Sequence, residues 1–154
     1  AAWAEQVEAA HDRVAQAIRP AAQAGSEVLY RAVLRNVQAI GTVTGNLQNS
    51  IYQKFSVDNS VSVDIGGNKS LSTNAVYHIS WNTRKAPHGH LVEYGYIQKY
   101  VVYRNKDGAF RTSKRLLKTP KQIPATPFVR PAQALMPEAL AAAEAKFFEV
   151  VNGP

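Results

Sequence analysis

The 154 residues include no cysteine. That excludes disulfides, thiolate metal sites and cysteine nucleophiles, and it fits a protein built in a reducing cytoplasm. No run of about 18 uninterrupted apolar residues occurs. No charged-then-apolar leader with a small-residue cleavage site follows Ala1, so the chain is expected to be soluble, not secreted, and without a membrane partner. Also missing are Gly-x-Ser-x-Gly, a phosphate-binding glycine loop ahead of a helix, and His-Glu-x-x-His. Without these motifs no residue stands out as catalytic, cofactor-binding or metal-ligating, and the expectation is a protein that is not an enzyme and uses no cofactor. Charged residues are 19% and hydrophobic ones 45%, ordinary globular usage that argues against disorder or a fibrous repeat. The length suits one domain over 1–154 with a core of its own.

The net charge of +7 is local. Between residues 99 and 121 stand Lys99, Arg104, Lys106, Arg111, Lys114, Arg115, Lys118 and Lys121 against Asp107 alone, an excess of +7, while the other ten basic and ten acidic residues cancel. An excess confined to one segment points to a polyanionic neighbour more strongly than a diffuse one. The plainer alternative is a solvated hairpin that keeps the protein soluble.

Apolar spacing divides the chain. From Trp3 to about Ile40, Val7, Val14 and Ile18, then Leu29, Val33, Val37 and Ile40, recur at helical spacing and predict core packing. Pro20 suits a first helical turn, so this region (1–41) reads as two helices or one sharply kinked helix. The period then changes. Ser60 to Ile65 alternates strictly, as do Tyr77, Ile79 and Trp81; both are predicted strands, and Ile51 to Val57 is a weaker one. Asp58-Asn59-Ser60 is expected to turn the first pair, with a polar loop from Gly66 to Asn74. Two strands, Tyr96 to Tyr103 and Ala109 to Ser113, flank Asn105-Lys-Asp-Gly108, a hairpin turn. The last helix (127–151) carries Met136, Leu140, Ala143, Phe147 and Val150 on one face, with Pro137 resetting it early. The predicted fold is α+β: a mainly antiparallel sheet (44–121) packed by N-terminal and C-terminal helices, with a protruding basic β-hairpin at 96–121.

Pro87-His-Gly-His-Leu-Val-Glu-Tyr-Gly95 invites a metal reading. His88 and His90 flank Gly89, Glu93 follows three residues on, and His78 lies upstream, but a catalytic zinc needs three converging ligands and no committed third is present. Residues that shape a loop ahead of a strand are the stronger reading. The acidic pair Glu5 and Glu8 is ordinary solvated helix charge.

Three blocks occur in order: Thr44-Gly-Asn-Leu-Gln-Asn-Ser-Ile51, His90-Leu-Val-Glu-Tyr-Gly95 and Pro124-Ala-Thr-Pro-Phe-Val-Arg-Pro-Ala132. Together they resemble the head-to-tail joining or tail-completion proteins of long-tailed bacteriophages, a family similar to the minor tail protein Z of lambda-like phages. The resemblance covers about residues 40 to 135, and the basic hairpin is its least transferable part. It implies a structural virion protein of the neck or tail top, assembled in the host cytoplasm. In that role a homohexameric ring completes the tail or closes the head and joins the two around the DNA channel. The implied partners are further copies of the chain, a connector-side head-completion or adaptor protein, a tail terminator or tail-tube protein, and packaged DNA. The basic residues from Lys99 to Lys121 would then face the channel or a partner. A different class is a nucleic-acid-binding module whose hairpin grips phosphates while Tyr96, Tyr100, Tyr103 and Phe110 stack on bases.

Each block also has a physical reading. Thr44 is a candidate N-cap of a single helical turn, with Gly45 beside it and Leu47 and Ile51 on the inner side. In Glu93-Tyr94-Gly95 the glycine suggests close backbone approach, and Glu93 is expected to hold Arg130 while contributing, with the sheet, to subunit contacts. In Pro127-Phe-Val-Arg-Pro131 the prolines disfavour helix before them, Pro131 suits a first helical turn, and Phe128 is the expected core anchor.

Overall fold

A computed structural model describes residues 2–41, 45–56, 62–65, 69–72 and 75–153. Helix α1 spans Ala2–Ile40 without a break, about 58 Å at 1.5 Å per residue. The two-helix reading of Pro20 is corrected: one helix runs through it. Pro20 has no N–H to offer the Gln16 carbonyl, yet the helix continues through it, with Ala17 and Ala21 beside it buried. Gly41, at φ +74°, ends the helix, and its N–H donates to the Gln38 carbonyl.

A 3-10 turn at Gln48–Ser50 leads into β1 (Ile51–Ser56); β2 (Ser62–Ile65), β3 (Lys69–Ser72) and β4 (Val76–Trp81) follow. The strands form two-stranded antiparallel sheets: β1 with β4, β2 with β3, and the later β5 (Tyr96–Arg104) with β6 (Phe110–Ile123). The architecture is therefore α+β. The pairing differs from the expected one. The partner of β1 is β4, in register from Ile51 opposite Trp81 to Ser56 opposite Val76, and the 62–65 strand pairs instead with Lys69–Ser72. That second strand lies where a polar loop was expected: Lys-Ser-Leu-Ser carries one apolar residue, too little to signal a strand until a partner supplies the hydrogen bonds. The expected turn at Asp58-Asn59-Ser60 lies outside the described residues.

Helix α1 grips the β1–β4 pair through polar contacts. Ser26 Oγ donates to Gln53 Oε1 at 2.9 Å, and Gln53 Nε2 donates to Glu27 Oε2 at 2.6 Å. The Arg19 guanidinium sits 3.9 Å from the Phe55 ring centre.

A short helix, α2 (Gly89–Tyr94), precedes the hairpin, and a 3-10 turn at Arg130–Leu135 precedes α3 (Met136–Val151). The last helix thus starts later than the expected 127, because the prolines of this stretch hold it in extended and 3-10 geometry. Helices α1 and α3 meet through small residues. A Cβ on Gly25 would stand 3.0 Å from the Ala139 carbonyl oxygen and 3.4 Å from Ala143 Cβ. This approach buries Ala139 and leaves Leu140 and Met136 exposed, against the expected inward stripe: the contact is made where the backbones fit closest, and the larger side chains flank it.

The core gathers α1 (Val33, Val37), the turn into β1 (Leu47, Ile51), Ala86, and Phe128 with Ala132. Phe128 is fully buried, its ring edge-on to Trp81 at 5.4 Å. No helix among the described residues is long and apolar enough to cross a membrane.

Candidate assembly surfaces

The histidine-glutamate block folds as α2, and its geometry is set by two close approaches. Gly89 lies against the indole of Trp81, where any Cβ would collide with the ring. Gly95, at φ +75°, brings its backbone to within 2.7 Å, for a built Cβ, of the Ile123 carbonyl oxygen. Both glycines are demanded by space, and Gly95 by conformation as well.

Between them Glu93 points inward, 1% exposed. Its Oε2 accepts from the backbone N–H groups of Phe128 (2.7 Å) and Val129 (3.0 Å), and its Oε1 from Arg130 N (3.0 Å) and Arg130 Nε (3.1 Å). Arg130 also donates from Nη2 to the Glu93 carbonyl. The carboxylate thus caps the N-terminal end of the 3-10 turn, where backbone donors lack partners of their own. Burial works to raise its pKa, but the hydrogen bonds from Val129, Phe128 and Arg130 prevail and hold it below its ordinary value. Sequence reasoning paired Glu93 with Arg130, and the pair forms. The carboxylate expected to serve subunit contacts spends both its oxygens inside the subunit. What this block does expose is Tyr94, 66% accessible, with the Arg130 guanidinium 4.9 Å from its ring centre.

The other candidates divide in the same way. Leu47 and Phe128 are buried. Gly45 takes φ +71° and its carbonyl accepts from Asn49 N–H. Pro127 is half-buried, and Pro131 is exposed at the start of its 3-10 turn. The proposed cap Thr44 lies outside the described residues; the 3-10 turn itself is preceded by Leu47, without a side-chain cap.

His88 and His90 are exposed while Glu93 faces the core, so the three do not converge. Among the described residues no group of three or more His, Asp or Glu is placed to hold a metal. Protein purified without added metal is expected to contain no stoichiometric zinc by elemental analysis. A full equivalent, lost in His88→Ala, would overturn this.

The basic segment folds as the β5–β6 hairpin. Asn105 organises its turn, its Oδ1 accepting from Asp107 N and Ala109 N, with Gly108 at φ +82°. The second strand runs to Ile123, well past the expected Ser113, through two register shifts. Pro120 falls in the irregular stretch between Leu116 and Lys121, where its missing N–H breaks no ladder bond. Lys99, Arg104, Lys106, Arg111, Lys114, Arg115, Lys118 and Lys121 are all exposed, and the ion pairs among the described residues involve none of them.

Register puts Tyr96, Tyr100, Val102 and Phe110 on one face of the hairpin, with Leu116 and Ile123 opposite them. Part of that face looks across a cleft of about 590 Å³, with Tyr96, Val102 and Phe110 on one wall and Ile40, Leu47 and Val92 on the other. The sequence did not reveal this cleft, since it depends on how the hairpin returns over the body.

A second surface was assigned to the wrong side. Val7 and Val14, expected in the core, are 59% and 41% exposed, and Trp3 is 70% exposed. Helix α3, at 16 residues, covers only part of the 39-residue α1, so the apolar stripe runs on past the packing that would bury it.

A family model described as "Bacteriophage HK97-gp10, putative tail-component" matches residues 1–95. No curated protein and no solved structure matches the chain.

Proposed function

The chain belongs to the HK97-gp10-like family of bacteriophage tail components, and from that premise we propose that it forms a ring in the phage neck that joins head and tail around the DNA channel. As a tail component it is a structural protein of the virion that works through contacts with other virion proteins. The neck position, the ring and the joining role are the finer reading. One observation carries the channel part: eight exposed basic residues, none paired with a carboxylate among the described residues, stand on a single hairpin. Lysine and arginine on a turn-rich ribbon suit sequence-independent phosphate contact. Such contacts are individually weak and are screened over about 8–10 Å in physiological salt, so DNA held by them can still slide.

Replacing Lys106, Lys114, Arg115 and Lys118 with glutamine tests this. The expected result is joined particles at parental yield with altered DNA retention or ejection and an altered salt dependence. An accumulation of free heads and free tails would instead put the hairpin against a neck protein and sink the channel role.

The exposed aromatics Tyr100, Tyr103 and Phe110 among these charges favour a second reading, a hairpin that grips free nucleic acid. It predicts tight binding by the isolated subunit, with log affinity falling by about 0.9 per phosphate contact for each unit of log salt. The neck reading predicts only weak affinity for free DNA.

A further inference from the structure

Two unsatisfied surfaces sit at opposite ends of one helix. At the C-terminal end of α1, Ile40 and Gly41 form part of the cleft under the hairpin. At the N-terminal end, Trp3, Val7, Ala10 and Val14 follow 4-3-4 spacing along one face, all of them exposed. The same face is buried further along, at Ala17 and Ala21. From Trp3 to Ile40 the helix rises about 55 Å, so the free stripe cannot reach the cleft of its own chain.

The geometry points to a head-to-tail contact between copies, in which the N-terminal stripe of one α1 seats Trp3 and Val7 in the cleft of a second copy. The chemistry matches on both counts. Leu47, Val92, Val102 and Phe110 give the cleft apolar walls, and its volume of about 590 Å³ suits a few large side chains inserted as anchors from a helix lying across its mouth. Charge also complements. Residues 2–14 carry Glu5, Glu8 and Asp12 against Arg13, a net −2, facing a hairpin segment of +7. At helical spacing these acids lie opposite the stripe, so they stay hydrated when it is inserted, and their attraction to the basic hairpin steers the encounter and its orientation more than it holds the contact. The contact would also cover the apolar face of a two-stranded ribbon, which is marginal alone.

Because the stripe and the cleft are different surfaces, one contact leaves a free stripe and a free cleft at the two ends of the pair. Repetition through further copies gives a closed ring or an open filament, whereas reciprocal exchange would close at two copies; the ring proposed above takes the first course. The inference deepens the proposed ring and rests on it only for closure.

The test uses the full chain and light scattering across a concentration series. Trp3→Glu and Phe110→Glu alter exposed positions, so thermal unfolding should match the parent. Each is expected to weaken self-association by roughly thirtyfold or more. Mixed in equal amounts, the two variants should form a one-to-one heterodimer, the intact stripe of the Phe110→Glu copy entering the intact cleft of the Trp3→Glu copy. The absence of native cysteine permits a second readout. Oxidised Val7→Cys/Val102→Cys protein should run as a ladder of linked copies, while neither single variant forms one. A parent that stays monomeric, a variant that assembles like the parent, a mixture with no heterodimer, or a double-cysteine protein with no ladder would each overturn the contact. The ring reading is decided separately, by the copy number and arrangement of this subunit in a reconstruction of the particle, and could stand with a different contact.

Discussion

Phe128→Ala is expected to lower the stability of the isolated subunit by about 3–5 kcal/mol, through lost transfer energy plus the cavity left behind. The ring is fully buried and edge-on to Trp81, and it joins the last segment of the chain to the core made by α1 and the turn into β1. Its backbone is tied on both sides: Asn36 Nδ2 donates to the Phe128 carbonyl at 3.0 Å, and Phe128 N–H donates to Glu93. Those bonds hold the backbone in place after truncation, so the site cannot collapse to fill the void and the cost falls at the upper end for such changes. Domains of this kind are stable by only about 5–15 kcal/mol, so the denaturation midpoint should drop sharply. A midpoint equal to the parent's would show that Phe128 is not the anchor.

Glu93→Ala is expected to destabilise by a similar amount, about 3–5 kcal/mol, because it strands three backbone N–H groups and one side of Arg130 at a buried site. Glutamine should rescue little: one of its two terminal atoms is an NH2 donor and would face backbone donors that need an acceptor. The carboxylate also confers a pH dependence of known sign. Its folded pKa lies below the ordinary 4.5, so its contribution is complete above that value and is lost as pH falls through the lowered folded value. Urea midpoints measured from neutral pH downward should show an acid-side loss in the parent that is reduced in Glu93→Gln. Two identical profiles, or a Glu93→Ala subunit as stable as the parent, would remove Glu93 from the fold.

These two residues show how far local chemistry could be followed along the chain. Phe128 could be identified as an anchor because prolines bracket it, and Arg130 could be matched to Glu93 by charge. That Glu93 faces inward could not be read, since the same three letters, Glu-Tyr-Gly, serve a rim-exposed carboxylate equally well. The decision came from Gly95, whose left-handed backbone and close approach to Ile123 and Ala125 place α2 against the 128–130 backbone. The strand pairing was equally hidden. Ile51–Ser56 is followed by two alternating segments, Ser62–Ile65 and Val76–Trp81, and hydrogen bonding is indifferent to which of them supplies the partner.

By itself the sequence determined the two long helical regions, the strands other than β3, the α+β class, the location of the charge and the family blocks, because all of these are local: periodicity, proline and glycine placement, and residue counts within a short window. Only the tertiary structure decided which of those features a single subunit uses up. The apolar period of α1 is the same at Val7 as at Val33, yet Val33 is 1% exposed and Val7 59%, since burial depends on whether another element reaches that turn. Helix α3 and the 128–135 segment pack along the middle and C-terminal part of α1 and leave its first turns uncovered. The hairpin likewise reads as charge in sequence, and only its return over the body turns one of its faces into the wall of a cleft.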